Sequence, residues 1–247
     1  MDLGLRGRTA IVCGASAGIG LGCAEALAEA GASVVMFARR QDVLEREAER
    51  LNAVPVAGDV RSADDLERLV ATAVERFGGV DVVVLNSGGP PRTSSFEFSD
   101  EQLEDAVDLL LLSSIRLVRL CRPHLEASRH GRVIAITSSA VKEPIEALAL
   151  SSAVRPGLVG WLKTASRELG PKGVTVNAVA PGRIATERLK EVYPDGPTEA
   201  DLATIPARRL GSPREVGDVV CFLASDRAAY VTGATIAVDG GITRGLL

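Results

Sequence analysis

Three glycines, Gly14, Gly18 and Gly20, punctuate the run Gly14-Ala15-Ser16-Ala17-Gly18-Ile19-Gly20, which follows a β-branched stretch at residues 8–13 and opens a segment of helical period at 18–30. Such a turn lets the chain double back, brings backbone N–H groups close to a pyrophosphate and sets a helix N-terminus against its negative charge. A glycine turn alone is a weak signal. Between a strand and a helix it reads as a dinucleotide site, with Gly14, Ser16, Gly18, Ile19 and Gly20 as binding residues. The second β-branched stretch ends Phe37-Ala38-Arg39-Arg40, without the acid that would bond the ribose hydroxyls of NAD. Arg39 or Arg40 can meet a 2′-phosphate with a fork of donors, so NADP(H) is favoured over NAD(H); a solvated pair capping the next helix is the alternative.

A frame that positions these residues is legible in the periodicity. β-Branched runs at 8–13, 33–38, 54–57, 80–86, 132–137, 175–179 and 235–238 alternate with segments of helical period at 18–30, 42–51, 63–77, 100–126, 151–170 and 214–224. Repeated strand–helix units demand a parallel sheet covered by helices on both faces, because each crossover carries the chain back across the sheet. The expectation is one α/β domain over residues 1–247, a Rossmann-type doubly wound parallel sheet of about seven strands. The irregular stretch 186–206 is long for a connection and falls at the C-terminal side of the sheet, where ligands bind in such folds; it is expected to cover the substrate, a plain surface excursion being the alternative.

Composition excludes other classes. The 247 residues are 46% hydrophobic and 24% charged, with a formal net charge of −4, which argues for a soluble globular protein and against nucleic acid as the main partner. No apolar run approaches the ~20 residues of a membrane span, and the first residues have neither the basic nor the apolar part of a signal peptide. Cys13, Cys23, Cys121 and Cys221 form no CxxC pair and sit in apolar stretches, so they read as buried hydrophobes in a reducing cytoplasm, with no metal site expected. His124 and His130 fall at the far end of the sheet and read as surface residues.

The chain resembles the short-chain dehydrogenase/reductase family, especially its 3-oxoacyl carrier-protein reductase-like members, over nearly its whole length. The resemblance rests on the turn Gly14 to Gly20, on Asp59-Val60, on Leu85-Asn86-Ser87-Gly88 where the family usually has Asn-Asn-Ala-Gly, on residues 131–138, on Asn-Ala-Val-Ala-Pro-Gly at 177–182, on Thr186 and on the stretch 209–241. It implies that Asp59 receives the adenine amino group with Val60 beside it, that Asn86 to Gly88 lie beneath the cofactor, and that Pro181, Gly182, Ile184 and Thr186 hold the nicotinamide end. It further implies a homodimer or homotetramer built through the helices at 100–126 and 151–170.

The family's catalytic set is Asn, Ser, Tyr and Lys, and here only the serine remains, as Ser138. Ser151 stands at the tyrosine position, Arg155 at the lysine position and Leu110 at the asparagine position. A serine hydroxyl is a far poorer acid than a phenol, and a guanidinium stays protonated, so neither reproduces the usual proton route. Ser138, Ser151 and Arg155 are therefore the expected catalytic residues of a site with a nonstandard proton donor. Lys142, Glu143 and Glu146 beside Ser138, and Tyr193 in the covering loop, are the candidate donors, solvated loop charges being the alternative for the first three. Ile145, Leu148, Ala149 and Leu150 suggest an apolar pocket wall.

Three functions are carried forward. The first is an NADP(H)-dependent oxidoreductase acting on a small carbonyl or alcohol. A second is a silent NADP(H)-binding homologue serving as a sensor or structural subunit. The third is a cofactor-independent enzyme like the halohydrin dehalogenases, which resemble this family and use Ser, Tyr and Arg.

Overall fold

The computed structural model describes residues 2–190, 193 and 195–245. Seven strands form one parallel sheet: β1 (Thr9–Cys13), β2 (Ser33–Ala38), β3 (Val54–Ala57), β4 (Val82–Leu85), β5 (Arg132–Ile136), β6 (Thr175–Pro181) and β7 (Thr235–Val238), in the order β3-β2-β1-β4-β5-β6-β7. The order reverses between β1 and β4, and at such a switch point the two flanking crossovers diverge and leave a crevice at the strands' C-terminal ends. Both faces of β1, β4, β5 and β6 are buried, which explains why these segments read as continuous apolar runs rather than alternating ones.

One face is covered by α1 (Gly18–Glu29), α2 (Gln41–Leu51) and α9 (Pro213–Ala224), the other by α3 (Ala63–Phe77), α5 (Ser113–Ala127) and α6 (Ala149–Leu169). α1 and α9 approach closely through glycine: a Cβ on Gly217 would stand 2.2 Å from the carbonyl oxygen of Gly22. The helix starts have local causes, since Ser62, Ser99 and Ser212 each accept a backbone N–H through their side chains, the last two in reciprocal capping boxes.

Two expectations need correction. The helix at 100–126 is not one regular helix but α4 (Asp100–Val107), a π turn over Asp108–Leu112, and α5. There the N–H of Ser113 bonds the carbonyl of Asp108, five residues back. The stretch at 186–206 is not wholly irregular, because it carries two short helices, α7 (Glu187–Lys190) and α8 (Glu199–Ala203). Among the described residues, no helix is long and apolar enough to cross a membrane.

Candidate active site

The loops after β1, β4, β5 and β6 surround a cleft of about 1000 Å³. Its floor is the glycine turn. Gly14 and Gly18 adopt φ of +62° and +55°, and a Cβ on Gly20 would lie 2.2 Å from the Gly14 carbonyl oxygen, so the turn closes only with glycine there. α1 starts at Gly18 from an extended Ala17 that offers no side-chain acceptor, which leaves its first N–H groups to an incoming anion. The Asn86 side chain donates to the carbonyl of Cys13 at 3.1 Å and ties the ends of β4 and β1 together. Thr186 closes the opposite side, its methyl 3.3 Å from where a Gly18 Cβ would be. The glycines of this cradle and its free helix N-terminus fit a dinucleotide pyrophosphate.

Gly14, Gly18, Ile19, Asn86, Gly88, Pro181, Gly182, Ile184 and Thr186 all line this one cleft. The other residues read as cofactor ligands lie outside its lining. Gly20 packs behind the turn, and Ser16 is half-buried. Arg39 and Arg40 are exposed where β2 ends, and Asp59 and Val60 follow β3. Arg61 grips both oxygens of Asp59, at 3.1 and 2.8 Å, and holds its carboxyl below the usual carboxylate range. Arg61 also bonds Asp105 on α4, while Arg116 joins Asp108 of the π turn to the backbone of Arg61.

Ser138, Ser151 and Arg155 meet in the same cleft. Ser138 caps the short turn Ser139–Val141, its Oγ accepting the Ala140 N–H at 3.1 Å, and its own hydroxyl hydrogen meets no acceptor among the described residues. On α6, Arg155 Nε donates to Ser151 Oγ at 3.1 Å and Nη1 to the Ile136 carbonyl at 3.3 Å. Burial, and then the nearby charge of Arg188, push the Arg155 guanidinium down to about 10, so it remains a cation at neutral pH. Leu110 is 2% exposed, packs with Ala106, Leu150 and Val154, and is not part of the cleft lining.

The candidate proton donors separate. Tyr193 lines the cleft with the Arg183 guanidinium 5.8 Å from its ring centre. Glu143 and Glu146 line it as exposed side chains, and Glu143 accepts the Arg244 N–H at 3.1 Å, pinning the tail segment 242–244 as a further wall. Lys142 is not part of the lining. Of the expected apolar wall, Ile145 and Leu148 are present, whereas Leu150 packs into the core with Leu110.

Residues missed in the sequence include Arg92, Arg183, Arg188 and Arg244, all of which line the cleft. Arg188 reaches from α7 to the carbonyls of Gly89 and Pro90 at 3.0 and 2.7 Å, and a Cβ on Gly89 would stand 2.6 Å from its guanidinium. Nothing in the local sequence marks these arginines, because packing of the segment after β6 brings Arg183 and Arg188 to the cleft. Outside the cleft, all four cysteines are buried, Cys13 and Cys23 with thiols pushed up to about 12 by desolvation, and His130 pairs with Asp226 at 2.7 Å. Among the described residues, no cluster of three metal-ligating side chains occurs.

A family model described as enoyl-(acyl carrier protein) reductase matches residues 14–243. The chain is 36% identical over 242 residues to a 3-oxoacyl-[acyl-carrier-protein] reductase of Vibrio cholerae, covering 97% of this chain and 99% of the relative. It is 37% identical over 245 residues to the reductase of that name from Synechocystis, covering 96% and 98%. Among solved structures, L-sorbose reductase from Gluconobacter frateurii, complexed with NADPH and L-sorbose, superposes with a TM-score of 0.94 at 30% identity and full coverage of both chains. The NADPH-dependent reductase YwfH, involved in bacilysin biosynthesis, superposes with a TM-score of 0.92 at 28% identity, covering 97% of this chain and 99% of that one.

Proposed function

The chain belongs to the short-chain dehydrogenase/reductase family, and on that premise we propose that it is an NADP(H)-dependent reductase of a small carbonyl compound, with a proton route of its own. The observation that carries this reading is the opening of the dinucleotide cradle and the Ser138, Ser151 and Arg155 group into one cleft. The NADPH named with the two solved structures supports the choice of cofactor, as do the exposed Arg39 and Arg40 at the end of β2.

When bound, the reduced nicotinamide supplies hydride to the carbonyl carbon. Ser138 donates its free hydroxyl hydrogen to the carbonyl oxygen. Arg155 faces the same oxygen with a fixed cation, which stabilises the charge that develops as the carbonyl π pair moves onto oxygen. Neither group needs to lose a proton, so the proton that completes the alcohol comes from elsewhere. Of the residues that line the cleft, Tyr193, Glu143 and Glu146 are the candidate donors, and the phenol O–H of Tyr193 is the one we assign to delivery to the alkoxide. Assembly as a homodimer or homotetramer, with faces of α5 and α6 at the interfaces, belongs to the same proposal and is read by sedimentation velocity.

The deciding experiment titrates NADPH and NADH against purified protein, then follows nicotinamide absorbance with a carbonyl panel. Tight NADPH binding with substrate-dependent oxidation is expected. Leu110, sealed in apolar packing, favours a second reading, in which NADPH is bound but never consumed; binding without oxidation across the panel would make that reading the better one. Chloride release from a halohydrin without nucleotide would return the dehalogenase-like reading.

A further inference from the structure

Arg155 is a buried cation whose charge no described residue neutralises. The residue is 8% exposed, and the two bonds of its guanidinium go to neutral acceptors, the Ser151 hydroxyl and the Ile136 carbonyl. A guanidinium has five N–H donors, so three are left over, and the side chain lines the cleft. Proteins rarely bury an arginine without a carboxylate, because taking the charge out of water is costly unless an opposite charge replaces the solvent.

The surroundings deepen the imbalance. The charged neighbour that acts on Arg155 is another cation, Arg188. Arg92, Arg183 and Arg244 also line the cleft. Three acids line it as well, Glu143, Glu146 and Glu187, but all are exposed; Glu143 is engaged by the Arg244 backbone and Glu187 pairs with Lys190 at 2.7 Å. None of them reaches Arg155. The pyrophosphate of a dinucleotide would sit on the glycine turn, which has its own helix N-terminus to meet it.

We infer that the substrate is itself an anion, a 2-oxo or 3-oxo acid whose carboxylate is received at Arg155 beside the carbonyl to be reduced. The inference rests on the reductase reading and names its substrate class. An oxo group one or two carbons from the carboxylate lets one planar fork hold both oxygens, which a single point charge could not do. The reaction balances as hydride from the reduced nicotinamide to the oxo carbon, the carbonyl pair to oxygen, and one proton from the donor, giving the hydroxy acid and the oxidised nucleotide. The carboxylate is unchanged.

The test uses full-length protein with NADPH and compares pyruvate, phenylpyruvate and acetoacetate with their methyl esters and with L-sorbose as a neutral ketose. The acids are expected to exceed their esters by about 100-fold in kcat/KM, as for loss of one partner of a buried ion pair. Arg155→Gln should bring acid and ester within about 3-fold of each other while NADPH affinity changes by less than about 3-fold; Arg155→Lys, which keeps the charge, should retain part of the preference. Esters that match their acids would overturn the inference while leaving the reductase reading intact. So would an Arg155→Gln protein that keeps the preference but loses NADPH affinity, since Arg155 would then serve the ribose. If no carbonyl consumes NADPH, the reductase reading fails, and calorimetry of phenylpyruvate against its methyl ester on the NADPH complex decides the anion site separately. Selective binding of the acid sustains it, and equal or absent binding overturns it.

Discussion

Arg155 and Ser151 are bonded to each other, Nε to Oγ at 3.1 Å, one turn apart on α6. The two positions at which the family resemblance places a phenol and an amine therefore hold a hydroxyl that accepts and a guanidinium that donates. The pair cannot pass a proton between them at neutral pH, because the only group with protons to spare keeps them. What the pair does provide is a fixed, buried positive charge at the cleft wall.

That charge is expected to weaken the ligand-free fold. Burial, followed by the charge of Arg188, lowers Arg155 from the usual guanidinium range to about 10, and 1.36 kcal/mol for each pH unit makes this at most roughly 3 kcal/mol. The penalty is full at every pH below 10 and is relieved only as pH rises through 10, where the unfolded chain binds more protons than the folded one. Arg155→Met is expected to raise the Tm of the ligand-free protein by a few degrees, equally at about pH 6 and about pH 9, while turnover falls by at least about 100-fold. Calorimetry and an NADPH oxidation assay read the two effects, and a lowered Tm would show that the cation is stabilising.

Leu110→Asn puts an amide among Ala106, Leu150 and Val154. Without a partner there it should cost about 1–3 kcal/mol in urea unfolding and should not raise turnover. Increased turnover with unchanged stability would mean that the amide turns to the cleft and orders a water.

Arg39→Ala and Arg40→Ala remove the two exposed cations at the end of β2. At least one should weaken NADPH binding by about 10-fold or more and leave NADH nearly unaffected, since each charge-assisted bond contributes roughly 1.5–3 kcal/mol. Equal loss for both nucleotides would move the 2′-phosphate contact elsewhere.

Tyr193→Phe should lower kcat by about 10- to 100-fold with little change in NADPH affinity. Glu143→Gln, Glu146→Gln and Lys142→Ala should each retain most of the turnover. If Tyr193→Phe is silent and one of the glutamine variants is not, the donor is a carboxylic acid of the cleft mouth.

Much of this architecture is readable from residue order, and the reason is periodicity. Short β-branched runs and longer helices with one apolar stripe differ enough that β2, β3 and β7 fall at the expected residues. The cradle is equally legible, because only glycine satisfies the backbone of Gly14 and the clearance at Gly20. The π turn left no trace, since widening one turn alters register without altering hydropathy. Side-chain direction in the loops was also hidden: nothing periodic distinguishes Lys142, which misses the cleft, from Glu143 and Glu146, which line it. Tyr193 and Arg188 come to the cleft by tertiary packing of the segment around α7, and local sequence carries no mark of that.

The π turn over Asp108–Leu112 has a consequence for residue count. It acts as one residue inserted into a helix, so α4 and α5 are out of phase by about 100° about their common axis. Removing any single residue from 108–112 would yield a more regular helix and a worse protein. With α5 held against the sheet, α4 would turn by that angle, carrying Asp105 away from Arg61 and Ala106 out from under Leu150. The link from the Asp59 clamp to this helix would break at the same stroke. Substitutions in the segment should therefore be borne more easily than a change in its length.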